Sequence, residues 1–100
     1  DLGFGNNPEF LREGAAVYDY FHPPKIVVGA EDEKTASMIE GLYKNIEAPV
    51  VRTKFEIAEG VKYADNAWHA TKIGFANEIG NILKAHNVDS HAVMDIFCLD

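Results

Sequence analysis

Basic charge, cysteine and long apolar runs are all scarce in this chain, and each scarcity closes off a class of protein. Nine lysines and arginines stand against sixteen acids, for a net charge of −7, and the basic residues never cluster. Nucleic acid and anionic membrane surfaces both demand a basic footprint, so neither is an expected partner. Any anionic ligand must be held by a few placed donors. The one cysteine, Cys98, permits no internal disulfide and suits a reducing cytosol, so a cytoplasmic location is expected. Uninterrupted apolar runs extend only a few residues, far short of a membrane span. No signal segment is read at Asp1-Leu2-Gly3-Phe4-Gly5, and no His/Cys/Asp spacing suits a metal. Gly3-Phe4-Gly5 also lacks the third glycine and the preceding strand of a dinucleotide-binding turn.

What is present is a core-forming composition and one dominant helical stretch. An apolar fraction of 47% with 25% charged residues fits a globular chain of 100 residues, enough for at most one domain. From Glu56 to Asn87 no proline intervenes, and apolar residues recur at three- and four-residue spacing. This predicts one helix of roughly 30 residues, about 45 Å long. On a wheel of about 100° per residue, Ile57, Val61, Ala64, Trp68, Phe75, Ile79, Ile82 and Leu83 share a broad apolar side. Glu59, Lys62, Asn66, His69 and Asn77 form a stripe roughly 80° wide on the opposite side. A lysine, two carboxamides and a histidine among small residues resemble the wall of a polar site more than an ordinary wet face.

Ahead of that helix, Gly3 to Asn7 reads as a loop and Pro8 to Tyr18 as a short helix with Pro8 at its first position. Pro23-Pro24 forces a break. Lys25 to Gly29 is a β-branched run typical of a buried strand, Glu33 to Asn45 a helix with Met38, Ile39, Leu42 and Tyr43 inward, and Pro49 to Thr53 a second strand. After the long helix, Ser90 is read as the cap of a last helix from Ala92 to Cys98. The fold class expected is therefore an α/β fragment, predominantly helical, with two short strands and a long central helix that forms a dimer interface. Two strands do not make a stable sheet, and a helix about 45 Å long exceeds a domain with a radius of gyration of about 13 Å. The apolar side of that helix needs a second subunit or further chain, so the sequence reads as part of something larger.

The chemical candidates each have a plain structural alternative. Glu9 and Glu13, four apart, supply a base near a site or merely complement a helix dipole. Lys62 stabilises a developing oxyanion or pairs with Glu59 or Asn66. His69 is an acid/base or a half-buried hydrogen-bonded residue. Asn66 and Asn77, poor helix formers, each need a definite hydrogen-bond partner. Trp68 and Phe75 read as core or subunit packing. Gly60, Gly74 and Gly80 weaken the helix unless something packs closely there. Cys98, flanked by Ile96, Phe97 and Leu99, reads as a buried structural thiol and not a nucleophile.

Asn7-Pro8-Glu9-Phe10-Leu11-Arg12-Glu13-Gly14, then His22-Pro23-Pro24-Lys25-Ile26-Val27-Val28-Gly29, then Glu59-Gly60-Val61-Lys62-Tyr63-Ala64-Asp65-Asn66 and Phe75-Ala76-Asn77-Glu78-Ile79-Gly80-Asn81 occur in this order. The combination resembles the nucleotide-sugar 6-dehydrogenases, which include the UDP-glucose and GDP-mannose dehydrogenases, and Asn66-Ala67-Trp68-His69-Ala70 looks more like the GDP-mannose branch. The resemblance implies oxidation of a sugar C6 alcohol to the acid with two NAD⁺, through a thiohemiacetal and a thioester on a cysteine. It implies that Glu9 activates water, that Glu13 sits at the nicotinamide–sugar junction, and that Phe10, Leu11 and Arg12 line the sugar, partly through backbone groups. Lys62 and Asn66 would hold the C6 oxygen, with His69 and Asn77 on the sugar nucleotide. It further implies a division into residues 1–54, the end of an NAD-binding domain, and residues 55–100, part of a central helical domain that builds a homodimer or higher oligomer. The family's glycine-rich turn and its Gly-Gly-x-Cys nucleophile match nothing in these residues, and Cys98 does not fit the latter. This stretch alone is expected to be inactive. A UDP-glucose-type enzyme and a ligand-free helical dimerisation module are the competing readings.

Overall fold

The computed structural model describes residues 2–99. Its elements run β1 (Gly5–Asn6), α1 (Ala16–Phe21), β2 (Ile26–Ala30), α2 (Glu33–Gly41), β3 (Val50–Thr53), α3 (Phe55–Ala85) and α4 (Ser90–Phe97). Two compact units divide inside α3, the first ending at Asp65 and the second beginning at Asn66.

In the first unit a three-stranded sheet has the order β1-β2-β3. The β2–α2–β3 crossover makes β2 and β3 parallel, with Ile26 opposite Val50 and Gly29 opposite Thr53. Gly5 and Asn6, expected in a loop, instead form an antiparallel edge against Ala30 and Gly29. Central position explains why Ile26, Val27, Val28 and Gly29 are all buried, since a strand covered on both faces carries a continuous apolar run. Ile26, Val28 and Ala36 form the core, with Ile39, Tyr43, Ile46 and Ala48 packed against them. Asp32 caps α2, accepting the Thr35 backbone N–H at 2.8 Å and the Thr35 hydroxyl at 2.7 Å. Those two bonds, the hydroxyl first, hold the Asp32 carboxyl below its usual pKa. Arg52 of β3 ties the sheet to α2 through Glu40 at 2.6 Å and through Glu33.

Gly29 marks a close approach. A Cβ placed there would lie 2.5 Å from the Cβ of Ala58, and 3.1 Å from both the Lys54 carbonyl oxygen and the Phe55 Cα. The start of α3 therefore rests directly on β2, with Ala58 fully buried.

Several expectations need correction. Residues 8–12 are not helical, and α1 starts only at Ala16, so neither Glu9 nor Glu13 complements a helix dipole. A proline tolerated at a helix start does not make one; here tertiary bonds hold the segment. The helix expected to Asn45 stops at Gly41, where bonds from Leu42 N–H to Ile39 and from Tyr43 N–H to Glu40 tighten the chain out of the α ladder. Ile39 and Tyr43 do pack inward, but Met38 and Leu42 are exposed on the other side of α2.

In the second unit α3 ends as a Schellman motif. Asn87 takes φ 56°, its N–H bonds Lys84 O at 3.1 Å, and the Val88 N–H reaches Leu83 O at 2.9 Å. Asp89, not Ser90, caps α4, accepting from the His91 and Ala92 N–H groups. Phe75 and Phe97 meet at 5.8 Å between ring centres. Trp68 is 61% and Phe75 48% exposed, so the described residues of this unit leave these two rings largely uncovered. Cys98 is exposed and not a buried thiol. A Cβ at Gly60, Gly74 or Gly80 would touch nothing within 4 Å, so no contact among the described residues requires glycine there.

Candidate active site

The segment from Asn7 to Glu13 has almost no regular backbone partners, yet it is pinned at three places. At its entrance Asn7 donates from Nδ2 to the Val27 carbonyl at 2.8 Å and accepts the Tyr43 hydroxyl proton. Burial raises the pKa of that phenol, so it remains a donor. At Glu9 the ammonium of Lys62, on α3, donates to the backbone carbonyl and, at 3.0 Å, to Oε1. The other carboxylate oxygen of Glu9 accepts the Leu11 N–H at 2.8 Å. That backbone bond first, and Lys62 second, hold the Glu9 carboxyl below its usual pKa. At the exit the Asp19 carboxylate accepts three bonds from Arg12, from Nε at 2.9 Å, Nη2 at 2.8 Å and the backbone N–H at 3.0 Å.

Phe10 completes the cluster. The Lys25 ammonium lies 4.8 Å from its ring centre and the Lys62 ammonium 5.6 Å away. Two cations on one ring, with one carboxylate beside them, leave a locally positive spot in an acidic chain.

The structure thus brings together Glu9, Phe10 and Lys62, residues 53 positions apart in the case of the ion pair. Glu13 follows on the same loop and is exposed. The backbone N–H groups of Leu11 and Arg12 are already engaged by Glu9 and Asp19, and the Arg12 guanidinium is forked onto Asp19. In the second unit Asn66 and His69 are exposed residues of α3, and Asn77 lines a cleft of about 530 Å³ with Asn81, Lys84 and His91. Sequence reasoning overlooked Lys25 and Asp19. Lys25 was absorbed into a strand, and an aspartate in an exposed helix carries no local signal of a partner seven residues back.

Comparison with known proteins gives this geometry a context. Residues 1–47 match the NAD binding domain of the UDP-glucose/GDP-mannose dehydrogenase family, and residues 56–100 match its central domain. The chain belongs to that family. It is 51% identical over all 100 residues to a GDP-mannose 6-dehydrogenase of Pseudomonas aeruginosa, and 49% identical over 92 residues to a UDP-glucose 6-dehydrogenase of Bacillus subtilis. The first alignment covers 23% of that relative and the second 21%, so the chain spans under a quarter of either. Among solved structures it matches a ternary complex of GDP-mannose dehydrogenase from P. aeruginosa, with TM-score 0.88, covering 96% of this chain and 22% of that one. It also matches a UDP-glucose dehydrogenase of Pyrobaculum islandicum at 47% identity and TM-score 0.90, covering 98% of this chain and 23% of that one.

The match to an NAD-binding family fits the sheet, but the described residues build no pyrophosphate cradle. Gly5–Asn6 leads into no helix, and the N-terminus of α2 is already occupied by the Asp32 carboxylate. No group of three His, Cys, Asp or Glu suited to a metal occurs among the described residues, and no described helix is long and apolar enough to cross a membrane.

Proposed function

We propose that this chain is the segment of an NAD-dependent nucleotide-sugar 6-dehydrogenase, acting on GDP-mannose, that handles the sugar C6 oxygen. The reading is supported above all by the Lys62–Glu9 contact, which joins two separated motifs into one charged cluster, and by the 51% identity to a GDP-mannose 6-dehydrogenase. Residues 1–54 are the end of the cofactor domain and residues 55–100 part of the central one. NAD is the oxidant of the whole enzyme, with Glu13 on its nicotinamide side.

The polar groups suggest a division of labour. The Lys62 ammonium, half-buried and fixed by two acceptors, can offset negative charge developing on a C6 oxygen. Glu9 is ionised at neutral pH and is a weak base while Lys62 holds it. An oxygen that draws Lys62 away relieves that pairing, raises the basicity of Glu9 and readies it to take a proton from water. Asn66 assists Lys62 at the C6 oxygen. Phe10, Leu11 and Arg12 line the sugar, and His69 and Asn77 contact the sugar nucleotide. In the longer enzyme Lys62→Ala should lower kcat by about 100-fold or more while the protein stays folded; near-normal turnover would overturn the assignment. Calorimetry with GDP-mannose against UDP-glucose separates the two family branches.

The exposed Trp68, Phe75 and Ile82 of α3 favour one further element, a second copy of the chain covering that helix in a cytoplasmic homodimer. Trp68→Ser should then shift sedimentation towards monomer. A dimer that binds no nucleotide sugar would favour the dimerisation-module reading.

A further inference from the structure

We propose that Asp19 is a positioning residue for the Glu9–Glu13 loop, acting through Arg12. The inference rests on the reading of Glu9 and Lys62 given above, and on the geometry of the loop exit. Beyond Arg12 the chain turns through Gly14, at φ 79°, and Arg12 O accepts the Ala15 N–H at 3.1 Å before α1 begins. This turn folds α1 back so that the Asp19 carboxylate grips Arg12 at its backbone N–H and at two guanidinium nitrogens. The Asp19 side chain is 12% exposed and that of Arg12 70%. The carboxylate is thus the enclosed member and the arginine the strut laid over it.

An open ion pair adds little stability on its own, but this one does something else. A planar fork fixes orientation as well as distance, and the additional bond to the Arg12 N–H locks main chain, not only side chain. Between that lock and the Asn7 anchor lie Glu9, Phe10 and Leu11. Their position against Lys62 is what a reaction at an oxygen requires, since displacements of about 1 Å can cost about 100-fold in rate. Arg12, with its guanidinium forked onto Asp19, shapes the sugar-lining segment by holding it and not by offering that fork to a ligand.

The test uses the longer enzyme with GDP-mannose and NAD⁺. Asp19→Asn keeps one acceptor and the shape but loses the charged fork. It should lower kcat about 10- to 100-fold with no more than a small fall in Tm, and should move the acid limb of the kcat/KM profile, which reports the free enzyme, to higher pH as Glu9 drifts from Lys62. Asp19→Glu should recover part of the loss, and amide exchange at Leu11 and Arg12 should quicken in Asp19→Asn. Asp19→Asn added to Glu9→Gln should cost little more than Glu9→Gln alone. Turnover within twofold of the parent with an unmoved pH profile overturns the proposal, and so does a loss that follows the unfolded fraction in both Asp19 variants. If Lys62→Ala and Glu9→Gln themselves leave turnover intact, the functional reading fails. If they abolish it while Asp19→Asn keeps turnover within twofold of the parent, only the positioning role fails.

Discussion

The two units of this chain solve the problem of apolar surface differently. The first carries its own core: Ile26, Val27, Val28, Ala36 and Ala58 are all buried, and the loop with Glu9 is tied to that core through Asn7. In the second no described residue is buried, and contacts such as Phe75–Phe97 and Lys72 over Trp68 at 5.7 Å only partly shield its rings. The contrast teaches where geometry is set. Side chains that need fixed positions to about an ångström belong on the part that closes its own core. A helix with open apolar positions takes its final order from whatever covers it.

Four experiments would break or sharpen that comparison. The largest effect is expected from Lys62→Ala, which removes the cation joining α3 to the Glu9 loop and should cost the longer enzyme two or more orders of magnitude in kcat without unfolding. Gly29→Ala comes next. Its methyl has no room against Ala58 and the Lys54–Phe55 backbone, so the first unit should lose about 1–3 kcal/mol, read as a fall in Tm. Phe97→Ala in the second unit should cost about 0.5–1.5 kcal/mol through its ring pair, and a loss equal to that of Gly29→Ala would erase the contrast. The smallest effect is acid dependence. Asp19 has its pKa lowered to about 2 by the Arg12 side chain first and the Arg12 backbone N–H second. A depressed carboxyl stabilises the fold fully above its unfolded pKa of about 4 and loses that contribution as pH falls towards 2. Denaturant midpoints should therefore drop between pH 5 and pH 2.5, and drop less in Asp19→Asn.

The reach of sequence reasoning varied along the chain for identifiable reasons. The long helix was legible because a period near 3.6, unbroken by proline, is a local property; it spans Phe55–Ala85 against the expected Glu56–Asn87. The β2–α2–β3 crossover was legible from two β-branched runs flanking an amphipathic stretch. The loop around Glu9 has no local signal against helix because the bonds that anchor it to the fold come from Val27, Tyr43, Asp19 and Lys62, none of them adjacent in sequence. The apolar flanks of Cys98 point to burial by sequence alone, whereas the end of α4 is open and the thiol exposed.

Composition and periodicity by themselves determined the scarcity of basic residues, the crossover unit, the long helix and the residue types available for chemistry. Those follow from each residue's own preferences and its near neighbours. Only the tertiary structure decided that Glu9 meets Lys62, that Phe10 sits beside two cations, and that Arg12 is claimed by Asp19. Such pairings depend on how the chain closes over β2, and a free energy shared between distant residues leaves no trace in local sequence.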